Sequence, residues 1–137
     1  MVCDVRERYR RELWDLRADE YSKKVTEIIS ALGEVDNVNE HGVYTKQEEV
    51  DLSSRKCAIK LSVAQGSDGL WRYGYLYRSN TSGAALPVNI FRKGHETRAA
   101  ALKAAAREIL ERGRTLPKNA ERTLIGYTKE MGQLSLF

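Results

Sequence analysis

This sequence predicts an α+β fold, and three observations lead there. Apolar residues recur at spacings of three and four near the N-terminus, two strand-like stretches joined by a polar turn occupy the middle, and an alanine-rich run follows a threonine. The chain has 137 residues, 42% hydrophobic and 31% charged, with 2 Pro and 10 Gly, enough for one core without disulfide staples. The expected order is an N-terminal long helix, a three-stranded antiparallel meander, a covering Ala-rich helix, and a short C-terminal helix with a tail. Residues 1–131 form the expected single domain, and residues 132–137 the tail.

The first element rests on Val5, Tyr9, Leu13 and Leu16, then Val25, Ile28, Ile29 and Leu32, spaced as on one face of a helix. No Gly or Pro interrupts them, and Gly33 stands where a left-handed cap belongs, so the stretch reads as a long helix, or two joined near Ala18 and Asp19. Residues 34–55 are acidic and polar with little period, which predicts a loop or an irregular strand around Val43 to Val50. From Lys56 to Val63 the chain alternates, with Cys57, Ile59, Leu61 and Val63 on one face of a half-buried strand. Gln65 to Gly69 supply a turn into the aromatic strand Leu70 to Arg78, and Ser79 to Gly83 supply another. Leu86 to Phe91 then reads as a third strand, which Pro87 places at an edge or a strand end. Thr97 is positioned to cap a helix over Arg98 to Arg112, whose apolar stripe is Leu102, Ala105, Ala106, Ile109 and Leu110. Beyond Pro117, Asn119 to Met131 predicts one short helix, and Gly132 separates it from the last five residues.

Charge is divided unevenly. Through Lys56 there are ten Lys/Arg against thirteen Asp/Glu, and from Cys57 onward thirteen against six, so the net +4 conceals a basic C-terminal part. Such a part attracts polyanions, DNA or RNA, because clustered Lys/Arg release counterions from phosphates. No window approaches about 18 consecutive apolar residues, and the N-terminus becomes charged at once, which predicts a cytoplasmic protein with no membrane partner. The two cysteines, Cys3 and Cys57, are too few for a disulfide framework and read as free thiols.

The sharpest motif is the last five residues, Gln133-Leu134-Ser135-Leu136-Phe137. This pentapeptide resembles the bacterial sliding-clamp-binding motif, a glutamine followed by Leu, Ser or Asp, Leu and Phe, and all five positions agree. Polymerases, mismatch-repair factors, clamp loaders and several mobile-element proteins bind the DNA polymerase III sliding clamp through such peptides. The resemblance implies that Gln133 is the polar anchor, Leu134 an intermediate contact, and Leu136 and Phe137 the pair that fills an apolar pocket. An alternating Leu-Ser-Leu also suits a terminal strand packed on the chain's own core. The resemblance covers five residues and leaves the preceding domain without a family.

A second feature is the strand face Trp71, Tyr73, Tyr75 and Tyr77, near Arg92, Lys93 and Arg98. Aromatic rings on a sheet stack unpaired bases while cations follow the backbone, so these seven residues form a candidate nucleic-acid platform. The competing expectation is that the same rings pack beneath the Ala-rich helix as core. Catalytic patterns are poor. His41 and His95 are isolated, and Cys57 lies on an apolar strand face. An acidic group followed by a Glu-x-Lys strand would suit a metal nuclease, but Ala58 stands two before Lys60 where the second carboxylate belongs. The sequence therefore predicts no enzyme, no metal and no cofactor. It predicts a phage, bacterial or mobile-element accessory protein that binds the clamp, the alternative being a counter-defence inhibitor of restriction or CRISPR enzymes or a stand-alone nucleic-acid-binding module.

Overall fold

The computed structural model describes residues 5–80, 82–112 and 116–134. Its elements are α1 (Val5–Glu12), α2 (Ala18–Ala31), β1 (Glu48–Asp51), β2 (Ala58–Gln65), β3 (Trp71–Arg78), β4 (Gly83–Leu86), α3 (Arg98–Arg112) and α4 (Lys118–Leu134). The class is α+β, with one four-stranded antiparallel sheet in the order β1-β2-β3-β4.

Period two along β2 and β3 sorts the sheet into two faces. Ile59, Leu61 and Val63 pair in register with Tyr77, Tyr75 and Tyr73, and all six are buried. Against them lies α3, where Ala101, Ala105 and Ala106 carry no more than a methyl group and let the helix approach the sheet, while Leu102 and Ile109 fill the space beside them. Burying each large aliphatic side chain here contributes about 1.5–3 kcal/mol. Thr97 caps α3 as its position suggested, its Oγ1 accepting from Ala100 N–H at 3.0 Å. The last helix, α4, packs on α3 through Ala120, Leu124 and Met131.

A second core forms on the opposite sheet face, where Ala64, Val88, Ile90 and Tyr44 meet Leu13 of the α1–α2 connection and Val25, Ile28 and Ile29 of α2. Gly33 ends this helical region with φ +70°, and Glu34 N–H returns to the Ile29 carbonyl at 3.0 Å.

Four expectations are corrected. The long N-terminal helix is two helices, the second starting at Ala18 where the alternative reading placed the join: Leu13 and Trp14 donate to Arg10 and Arg11 in tight turns, and Arg17 is extended. The apolar stripe lapses between Leu16 and Val25, and a break there lets Leu13 and the α2 residues reach one core. The meander has four strands, because Val50 and its neighbours pair with β2 as β1, with Glu48 opposite Val63. The strand expected at Leu86 to Phe91 lies earlier, at Gly83–Leu86. After Pro87 the chain leaves β3 and joins the segment before β1, Tyr44 N–H donating to the Val88 carbonyl and Ile90 N–H to the Gly42 carbonyl, both at 2.9 Å. Gly74 permits that crossing, since a Cβ there would stand 2.8 Å from Val88 N. Finally, the helix expected to be short is the longest of those described, 17 residues, and runs through Gly132 to Leu134.

Candidate functional site

The clamp-like peptide begins on the last turn of α4. Gln133 and Leu134 are both exposed there, Leu134 to 54%, and neither belongs to either core. Ser135, Leu136 and Phe137 lie outside the described residues. The last buried residue of α4 is Met131, so the turn holding Gln133 and Leu134 can unwind without opening the core.

The aromatic strand is occupied differently from a base-stacking platform. Tyr73, Tyr75 and Tyr77 are buried under α3, and Trp71 packs at their margin. Burial together with nearby Glu108 pushes the Tyr75 hydroxyl up to about 12. These rings serve as core because the small side chains of α3 leave room that only large ones fill.

The three predicted cations are held by acidic partners or stand free. Arg98 pairs with Glu48 through its Nε. The Arg92 guanidinium lies 5.2 Å from the centre of the Tyr73 ring and 3.5 Å from Glu108, which also accepts from the Tyr73 hydroxyl at 3.2 Å. Its backbone carbonyl accepts from Arg72 Nε at 2.9 Å, so Arg92 is fixed at both ends. Lys93 is exposed and has no ion pair among the described residues. A cleft of about 430 Å³ is lined by Tyr73, His95, Lys103 and Glu108 among others. His95 Nε2 and Glu108 Oε2 are buried there without a hydrogen-bond partner among the described residues. Burial, with Lys93, Arg72 and Arg92 nearby, lowers the His95 pKa and favours the neutral ring.

Sequence reasoning missed two arrangements. One is a buried charged network: Arg6 donates to Glu34 at 3.2 Å and to the Ile90 carbonyl at 3.0 Å, while Tyr44 hydrogen-bonds Glu34. Arg72 grips Asp68 through two bonds of 2.9 and 2.7 Å, and Arg6 stands 3.6 Å from the same carboxylate. Burial works to raise Asp68, but Arg72, the Leu70 N–H and Arg6 overcome it and hold the carboxyl down at about 2. Arg6 looks like one more charge in an arginine-rich helix, and only the fold brings it to Glu34.

The other is a groove at the α1–α2 corner. A cleft of about 530 Å³ is lined by Arg10, Trp14, Tyr21, Phe91 and Arg92 with Leu13, Leu16, Leu86 and Asn89. A second, of about 470 Å³, shares Arg10, Phe91 and Arg92 with it and adds Glu7 and Lys93. Trp14 is 73% exposed and Tyr21 44%. The one visible signal was a tryptophan in an otherwise charged stretch, Glu12-Leu13-Trp14-Asp15. Cys57, by contrast, is buried, and burial raises its thiol pKa, so it is a poor nucleophile. Among the described residues no three His, Cys, Asp or Glu side chains gather as a metal site, and no helix is long and apolar enough to cross a membrane. No protein-family model, no curated protein and no solved structure matches this chain.

Proposed function

We propose that this chain is a non-enzymatic accessory protein that binds the bacterial replicative sliding clamp through Gln133, Leu134, Leu136 and Phe137. The observation that carries the reading is the agreement of all five terminal residues with the clamp-binding pattern. The placement of Gln133 and Leu134 on an exposed last turn, beyond the last buried residue of α4, supports it, because a peptide must be extended to lie in the clamp's groove. Binding then unwinds one turn and places Leu136 and Phe137 in the apolar pocket, with the Gln133 amide hydrogen-bonded beside it. The folded part is carried to the replication machinery as cargo or as an obstacle to the clamp's other partners. Replacing Leu136 and Phe137 by Ala should abolish binding to immobilised clamp while leaving the circular dichroism and melting of the chain unchanged. Undiminished affinity of that double variant would refute the reading.

A further inference from the structure

The strongest unassigned feature is the groove at the α1–α2 corner, and we propose that it binds a single strand of nucleic acid. Three rings face it, Trp14, Tyr21 and Phe91, and three cations flank them, Arg10, Arg92 and Lys93. Trp14 is largely exposed and Tyr21 nearly half, and a contiguous exposed patch of large rings marks a surface that something covers.

Charge chooses the occupant. The carboxylate in the groove, Glu7, is engaged by Arg11 at 3.3 Å, whereas Arg10 and Lys93 have no acidic partner among the described residues. Glu108 holds Arg92 from the far side, and the Tyr73 ring supports it. A polyanion gains by displacing counterions from such a cluster. The rings choose among polyanions: a base stacks on an aromatic side chain only when it is unpaired, and stacking contributes about 1–3 kcal/mol per base. The two clefts share Arg10, Phe91 and Arg92 and so lie side by side, the one lined by the rings next to the one that adds Lys93, as a strand whose bases stack while its phosphates meet cations requires. Several polar side chains of the clefts are already engaged within the protein, Asn89 by the Phe91 N–H, Glu7 by Arg11 and Arg92 by Glu108, so binding rests on stacking and charge and is tolerant of sequence.

This inference stands apart from clamp binding. The groove lies at the α1–α2 corner, whereas Gln133 and Leu134 lie on the last turn of α4, which packs with α3 on the other sheet face. The experiment uses the whole chain without clamp and follows anisotropy of labelled oligothymidylate, oligouridylate and a DNA duplex of equal length. Both single strands should bind, the duplex more weakly, with affinity falling steeply as salt rises; a preference between DNA and RNA identifies the natural strand. Trp14→Ala should weaken binding by about 5-fold to 100-fold, matching one lost stacking contact. Lys93→Glu should weaken it and reduce the salt dependence by about one phosphate contact or more, while Lys129→Glu, the same charge change on α4, should leave it nearly unaltered. In a Trp71→Phe chain, whose remaining tryptophan is Trp14, bound strand should quench the fluorescence. Equal losses in Lys93→Glu and Lys129→Glu would overturn the proposal, as would equal affinity for duplex. So would self-association that Trp14→Ala abolishes in a chain that binds no oligonucleotide, since a second copy would then fill the groove. Retained strand binding in the Leu136→Ala/Phe137→Ala variant separates failure of this inference from failure of the clamp reading.

Discussion

Arg6 and Glu34 are 28 residues apart and almost completely withdrawn from water, together with Arg72 beside Asp68. Taking such charges out of water is costly, and the pair is tolerable because Glu34 also accepts from Tyr44, Asn37 and the Ser67 N–H while Arg6 also donates to the Ile90 carbonyl. Removing one partner is therefore expected to hurt more than the pair itself stabilises. Glu34→Ala strands Arg6 and should cost about 3 kcal/mol, read as a lowered midpoint of urea unfolding with an unchanged slope. A change below about 1 kcal/mol would show that Asp68 alone satisfies Arg6. Asp68 also sets a pH dependence. Its carboxyl is held at about 2 in the fold, below the ordinary value, so the stability it contributes is present above the unfolded pKa near 4 and disappears as pH falls toward 2. Asp68→Asn should be less stable at neutral pH and should lose less stability on acidification through that window. A parallel acid profile for the two proteins would remove Asp68 from the account. None of these partnerships is visible from spacing, because charged residues in a charged stretch look solvated until the fold gives them neighbours.

At the scale of elements, local rules succeed where one contact dominates. The Thr97 cap and the alanine stripe define α3 over the residues expected, and the alternation of Ile59, Leu61 and Val63 orients β2. They fail where a distant surface decides. No Gly or Pro stops a helix at Leu13, yet the second core takes Leu13 from the α1–α2 connection and Val25 from α2. Likewise Val88 and Ile90 alternate as a strand should, but they pair with Gly42 and Tyr44 instead of β3. Gly74 is the position on which that crossing depends, and Gly74→Ala should lower the melting temperature by several degrees because the Leu86 carbonyl and the Val88 backbone nitrogen cannot move aside as a side chain could. The other element with a consequence is the end of α4. Gly132 lies inside the helix, where glycine costs about 1 kcal/mol relative to alanine, so the last turn is easily unwound. Gly132→Ala should hold Gln133 and Leu134 helical and weaken clamp binding about fivefold, whereas Gly126→Ala, earlier in the same helix with open space at its Cβ, should stabilise the chain and leave clamp affinity alone. Equal clamp affinity for Gly132→Ala and the unaltered chain would mean that the turn does not unwind on binding.

Considered whole, the molecule is a four-stranded sheet with α3 and α4 on one face and α1 and α2 on part of the other. The candidate ligands divide the same way, the clamp at the end of α4 and the nucleic-acid strand at the α1–α2 corner. Basic composition pointed toward a polyanion, but the rings that composition suggested for it, Tyr73, Tyr75 and Tyr77, became core once α3 settled on them. Trp14 took their place in the candidate interface, since the break between α1 and α2, which the sequence offered only as the alternative of two helices joined near Ala18, leaves it outward. With the two sites on different faces, oligonucleotide and clamp should bind together, and saturating one should leave the affinity for the other unchanged. The most direct test of the central claim is a calorimetric titration of purified sliding clamp with the whole chain and with a chain ending at Gly132. Saturable binding by the whole chain alone is the predicted result; equal heats from both, or none from either, would contradict it.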